Sequence, residues 1–356
     1  MAWRYLLFDL NTMAPVAELP AHERSFGDQY NDAGQFSCTI PLDVDLPGVT
    51  LDTLQPPDAV WAAELDGTLL WAGPVWGLEP DFAAGRLTLS GAGWLSLLDR
   101  RRFPIDVTYS NLDQHFIARN LINVAQAVEF QSSHLGIDTT LVTASGVLRT
   151  RTYEGASELP VTSELLRQLA AVDLGFYFRF EPRWTAGPNS LLTVKFLCQY
   201  PASGRLTDVV LDVGRTCDIM SATLDGSAIT NYVYAVGSGE GPTKARAVVG
   251  NLDHLAAHRM LQTDIQLQNV SSFATLQAHG RERLRQGAAP AFIPKVRVGV
   301  DALGGFLVGD KVVFRLDRGV FQVDDLYRIV AYTCPDEDWV DLDLAPAVLF
   351  EGGDLT

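Results

Sequence analysis

Lysine is scarce in this sequence. Only Lys195, Lys244, Lys295 and Lys311 accompany the arginines, giving 27 basic residues against 43 acidic ones and a formal net charge of −16. A surface of that sign repels phosphates and argues against sequence-specific nucleic-acid binding. Cysteine is equally sparse. Cys38, Cys198, Cys217 and Cys334 lie far apart with no CxxC pair, so neither a zinc ribbon nor a dithiol redox motif is supported and buried free thiols are expected. No apolar run reaches the ~20 residues needed to span a bilayer. Met1–Leu10 is apolar but carries Arg4 and Asp9 and has no small-residue cleavage site. It reads as a strand, and folding in a cytoplasm is expected. There is no visible repeat of 20–50 residues and no low-complexity tract.

Motifs for catalysis or cofactors are also missing. His254-Leu-Ala-Ala-His258 places two imidazoles one helical turn apart, but a zinc hydrolase needs Glu after the first His, and Leu255 stands there. Gly237-Ser-Gly-Glu-Gly241 is Gly-rich, yet Pro242-Thr243-Lys244 follows it where a phosphate cradle needs a helix start and a Lys-Ser or Lys-Thr pair. A flexible loop open to a partner is the simpler reading. Asp324-Asp325 and Asp336-Glu337-Asp338 read as solvated acidic surface, since a glycosidase pair must be held across a cleft. No calcium loop and no nucleophile elbow occur. The expectation is therefore no catalytic residue, no cofactor and no metal. Arg100-Arg101-Arg102 is the sharpest basic cluster. It is too short for a nucleic-acid patch and suits a salt-bridged domain boundary or an acidic neighbouring subunit.

What is present is strand chemistry. With 356 residues, 47% hydrophobic and 20% charged, two or three folded domains are expected. Gly34–Leu42 alternates through Phe36, Cys38, Ile40 and Leu42, the period of a half-buried strand. Val60–Leu65 and Thr68–Trp76 flank Asp66-Gly67, a hairpin turn. Arg4–Leu10 and Arg86–Ser90 add further strands, with a short helix at Trp94–Leu98. Trp61, Trp71, Trp76 and Trp94 crowd this first region, as core and as interface.

A mixed unit follows. Ser110 or Asn111 is expected to cap a helix to about Val128, and Thr162 or Ser163 one to Val172. Phe176–Glu181 and Leu191–Tyr200 read as strands. Ile229–Val236 is a strand, Asn251–Met260 a helix, and Ser271 or Ser272 caps a helix to Gln286 that ends at Gly287 and Pro290. Strands then return at Phe292–Val300, Lys311–Leu316, Val320–Val323, Tyr327–Tyr332 and Trp339–Leu344. Charge follows the same division. Residues 1–100 hold 14 acidic and 4 basic residues and residues 297–356 hold 12 and 5, while the middle is near neutral.

Several stretches together resemble the tail tip hub, or minor tail, proteins of long-tailed bacteriophages. They are Tyr5-Leu-Leu-Phe-Asp9, Glu18-Leu-Pro20, Asn31-Asp-Ala-Gly-Gln-Phe36, Trp71-Ala-Gly-Pro-Val75 with Leu87-Thr-Leu-Ser-Gly91, and Ile229-Thr-Asn-Tyr-Val-Tyr-Ala-Val-Gly237 with its Gly-rich loop. A helix carrying Leu284 and ending near Pro290 then precedes the terminal strands. The resemblance implies a β-rich α+β fold, baseplate hub-like, with two small β-barrel, tail-tube-like domains and mixed α/β insertions. The expected division is an N-terminal barrel at 1–104, an α+β insertion at 105–215, a second barrel from 216–244 and 291–350, and a helical insertion at 245–290.

The resemblance further implies a homotrimeric structural virion protein at the tail tip. It would adapt a sixfold tail tube or distal tail protein to threefold tip or receptor-binding proteins. The tape measure protein would be a further partner, and genomic DNA would pass without specific binding. Two alternatives stand beside it: a distal tail protein forming a hexameric ring, and a carbohydrate-active β-rich enzyme.

Overall fold

In the computed structural model, residues 2–43, 46–127, 134–172, 174–201, 204–257, 259–268, 270–288 and 291–347 are described. The first hundred residues form seven strands: β1 (Trp3–Asp9), β2 (Pro15–Glu18), β3 (His22–Gln29), β4 (Gln35–Pro41), β5 (Ala59–Leu65), β6 (Thr68–Asp81) and β7 (Arg86–Ala92). Two one-turn helices, α1 (Leu51–Leu54) and α2 (Leu95–Leu98), accompany them. The alternation read in the sequence is realised in β4 for Phe36, Cys38 and Ile40, which are buried, but not for Leu42, which lies past the strand end at Pro41 and is exposed.

The first insertion holds β8 (Asp106–Asp113), α3 (Gln114–Gln126), β9 (Ile137–Asp138), β10 (Leu148–Glu154), α4 (Gly155–Glu158), α5 (Thr162–Ala170), β11 (Tyr177–Trp184) and β12 (Leu192–Gln199). The helix expected from Ser110 starts later, because Asp106–Asp113 pairs with β10 as a strand. Asp113 then caps α3, its Oδ1 accepting from the His115 N–H at 2.9 Å. Next come β13 (Leu206–Asp212) and β14 (Asp218–Asp225). The second insertion contains β15 (Tyr232–Val236), β16 (Arg246–Gly250), α6 (Leu252–Ala257), β17 (Gln262–Gln266) and α7 (Phe273–Gln286). β18 (Ala291–Gly299), β19 (Lys311–Arg318), β20 (Phe321–Cys334) and β21 (Trp339–Pro346) complete the chain.

The strands at the two ends of the chain form one thirteen-stranded sheet. Its order is β14-β18-β21-β20-β3-β4-β7-β6-β5-β1-β2, with β19 beside β20 and β13 beside β19. The fold is β-rich and mostly antiparallel, as expected. The order does not close on itself, however, so the pairing is that of one continuous open sheet and not of two separately closed barrels. One hydrophobic core serves both ends, from Tyr5, Leu7, Phe26 and Trp61 to Val296, Phe314, Ile329 and Leu342. A second core, on the other side of β1 and β5, joins Leu6, Phe8 and Val60 to Ile117, Leu121, Leu166 and Phe196 of the first insertion.

The two ends repeat one pattern. In the first, the neighbours run β3-β4-β7-β6-β5; in the second, β14-β18-β21-β20-β19. Chain order and antiparallel sense agree at every step. The sixth strands differ, because β1 is antiparallel to β5 while β13 is parallel to β19. Bulges repeat as well. β3 bulges between His22 and Ser25 and β14 between Ile219 and Ser221. The long strands β6 and β20, each of 14 residues, bulge at Trp76 and at Val330. A bulge redirects a strand and is a built feature of a sheet, so coincident bulges mark the two sheets as structural equivalents.

The second insertion departs from the expectation. Tyr232–Val236 does not enter the large sheet. It pairs with β16 and, in parallel, with β17. Ala235, Ala247, Leu267 and Leu276 of α7 form a small core of their own.

Candidate assembly surface

The joint between the two repeated sheets is a short ladder. Phe26, Gly27, Asp28 and Gln29 of β3 pair with Cys334, Thr333, Tyr332 and Ala331 of β20. Gly27 is required there. A Cβ at that position would lie 2.0 Å from the Tyr332 carbonyl oxygen, and one at Gly34 would lie 1.8 Å from the Gly27 carbonyl oxygen. Phe26 and Cys334 are buried at this seam, and burial pushes the Cys334 thiol up to about 12. The Arg24 guanidinium pairs with Glu337 at 2.7 Å and lies 4.8 Å from the Tyr5 ring centroid. Trp3 Nε1 donates to the Glu337 carbonyl at 3.3 Å. Arg328, fully buried, sits over the Tyr30 ring at 5.1 Å.

At the far end of the sheet β14 is an edge strand. From Met220 to Leu224 every residue is exposed, with Leu224 at 64%. The segment Ile219-Met220-Ser221-Ala222-Thr223-Leu224 carries no charge and no proline. Natural edges are blunted by charge, proline or a cover, because free N–H and C=O groups invite another strand. Ile293 on the neighbouring strand and Val320 and Phe321 at the β19–β20 turn extend the apolar exposure. Phe321 stacks on Phe292 at 5.7 Å.

The residues singled out in the sequence are not gathered into one site. Trp61, Trp71 and Trp94 are core residues; Trp61 stacks on Phe36 at 4.8 Å, and Trp76 donates to Ser96 at 2.9 Å. The Arg100–Arg102 cluster lies where α2 meets α5. Arg100 stands over the Trp76 ring at 5.6 Å, and Arg102 bridges to Val161. Gly237–Gly241 joins β15 to β16, with the Ser238 N–H donating to the Val270 carbonyl. His254 lies 3.1 Å from Asn231 Nδ2, while His258 lies outside the described residues. Among the described residues no group of three or more His, Cys, Asp or Glu side chains is placed to hold a metal.

Three acidic side chains of the second sheet are ion-paired across strands. Asp341 takes a bidentate pair from Arg297 at 2.6 and 3.0 Å, Asp324 pairs with Arg315 at 3.1 Å, and Asp343 with Lys295 at 3.7 Å. A cleft lies between the first insertion and α7. Among its described lining residues Glu282 is the only carboxylate, and it is ion-paired with Arg285. No described helix is long and apolar enough to cross a membrane.

No family model matches the sequence. No curated protein matches it either. Solved structures do. The tail protein from Neisseria meningitidis matches with a TM-score of 0.60 at 14% identity, over 99% of each chain. Prophage tail protein gp18 from Listeria monocytogenes matches at 0.58 and 12%, over 96% of this chain and 94% of that one. An E. coli component of the type VI secretion system, described as similar to T4 bacteriophage tail proteins gp27 and gp5, matches at 0.51 and 13%, over 93% of this chain and 74% of its own. At such low identity the likeness is one of fold, and it runs through nearly the whole chain: this protein has the fold of phage tail proteins of the hub-like kind.

Proposed function

We propose that the chain is a structural virion protein whose copies assemble, three at a time, into the hub ring of a phage tail tip. The observation that carries this reading is the repeated five-strand order at the two ends of the chain, joined edge to strand at β3–β20. A joint of this kind links unlike surfaces, so its repetition generates a ring or a filament. Three chains bring six equivalent sheets. Such a ring meets a sixfold tail tube or distal tail protein on one side and threefold tip or receptor-binding proteins on the other, with the tape measure protein as a further neighbour.

The fold shared with tail proteins supports this reading. So does the charge of the regions that would surround the channel, 14 acidic against 4 basic residues in 1–100 and 12 against 5 in 297–356. A negative wall lets genomic DNA pass without holding its phosphates. The chain acts by assembly and not by catalysis. Imaging tails that carry a label on this chain tests the reading: labels confined to the tip, three per tail, are expected. Six per tail would indicate a hexameric distal ring, and labels absent from tails would refute a virion role.

A further inference from the structure

We infer that the exposed strand β14 of one copy pairs with the free edge of β6 in the next, reproducing between chains the joint that β3 and β20 make within one. This rests on the ring reading and supplies its interface.

The equivalence between the two sheets fixes the register. Matched on their shared bulges, Trp76 corresponds to Val330, and so Gly77–Pro80 corresponds to Ala331–Cys334. Matched through the next ladders, Leu89 corresponds to Leu342 and Cys38 to Val296. Phe26–Gln29 of β3 then corresponds to Ala222–Asp225 of β14. Within the chain, Asp28 pairs with Tyr332 and Gly27 with Thr333. Carried over, Leu224 of one copy faces Leu78 of its neighbour and Thr223 faces Glu79. Pro80 has no N–H to donate and ends the ladder there.

Exposure agrees with a missing neighbour. Gly27 is buried where the β20 backbone passes it, whereas its counterpart Thr223 is exposed. On β6, Val75 is buried, Leu78 half-buried and Glu79–Asp81 exposed, and this outer half pairs with β7 on one side only. The first half of β6 is flanked on its other side by β5, as the first half of β20 is by β19. The occupant is thus a second copy of this chain. The joint already built once inside the chain has both of its halves, a bare edge and a half-bare long strand, left over at the two ends.

Directly opposed residues of an antiparallel pair have Cα atoms about 4.5–5.5 Å apart, within reach of a disulfide. The test is the double variant Leu78→Cys/Leu224→Cys, oxidised mildly in assembled tails, or in the purified chain if that assembles alone. Each single variant controls for the four native cysteines. Leu78→Cys/Asp218→Cys, displaced by six residues or roughly 20 Å of strand, controls for register. Covalent chain-to-chain products from the double variant alone are expected, together with loss of the multimer in Leu224→Lys at an unchanged melting temperature. An intact three-copy ring in which Leu78→Cys/Leu224→Cys stays uncrosslinked and Leu224→Lys still assembles would overturn the interface and spare the ring. Cross-links from Leu224→Cys to a different tail protein would overturn it too. A chain that is single in tails would overturn both.

Discussion

Replacing Gly27 by alanine attacks the joint on which the two sheets depend. The added Cβ would lie 2.0 Å from the Tyr332 carbonyl oxygen and 3.0 Å from the Thr333 Cα, both backbone atoms. Neither can rotate away, so β3 and β20 must separate by about 1 Å, and the ladder Phe26–Gln29 against Ala331–Cys334 is disturbed along its length. Overpacking of this kind costs roughly 1–3 kcal/mol, and each weakened ladder bond adds about 1 kcal/mol net. A loss of about 3 kcal/mol is expected, or roughly 6 °C in melting temperature for a chain of this size. Gly226→Ala is the control, since its Cβ would meet only the Ile229 Cδ1 at 3.4 Å. Thermal unfolding followed by near-ultraviolet circular dichroism reads the difference. Hydrogen exchange at Ala331–Cys334 should rise in Gly27→Ala and stay unchanged in the control. A Gly27→Ala chain that melts within a degree of the parent, with β20 still protected, would show that the joint yields without cost and would refute the reasoning.

Asp28 and His279 should give stability opposite pH dependences. Burial raises the half-buried Asp28 carboxyl to about 6, opposed by the Gln29 N–H and Arg179. The folded state therefore binds this proton more tightly than the unfolded one, and the Asp28 contribution falls as pH rises from about 4 to about 6. Asp28→Asn should be more stable than the parent by about 2 kcal/mol at pH 7 and indistinguishable from it near pH 4. His279 is lowered to about 4 by burial and by Arg151 and Arg149. Its contribution is present above pH 6.5 and is lost as pH falls toward 4, so His279→Gln should resist acid better than the parent. Urea midpoints measured between pH 4 and 7.5 check both signs. Trp61, fully buried and stacked between Phe36 at 4.8 Å and Tyr5 at 5.7 Å, should cost about 3–5 kcal/mol when replaced by alanine, read from the same curves.

How far the sequence reveals this fold depends on where its strands bend. β4, β7 and the β5–β6 hairpin keep strict alternation or a clear Asp66-Gly67 turn, and they are legible. β3 and β14 are not. Each carries a bulge, at His22–Ser25 and at Ile219–Ser221, and an extra residue inverts the inside–outside alternation midway. β20 reads as two strands because exposed Asp324 and Asp325 interrupt its apolar pattern, although the backbone runs unbroken from Phe321 to Cys334. Tyr232–Val236 has strand character, but nothing local says which sheet it joins; that was settled by its contacts with α7 and β17. The assembly surface was hidden for the same reason as the duplication. Equivalence between the two sheets lies in strand order and bulge position, and equivalent residues such as Asp28 and Leu224 share no chemistry. Gly27 and Gly34 illustrate the point, being ordinary in sequence and irreplaceable only because two backbones meet there.

The central claim is that the chain's two ends act as equivalent units of a closed ring. Native mass measurement of the tail-tip complex released from virions tests it most directly. Three copies of the 38.9 kDa chain per complex are the expected result. One copy, or six, would contradict it.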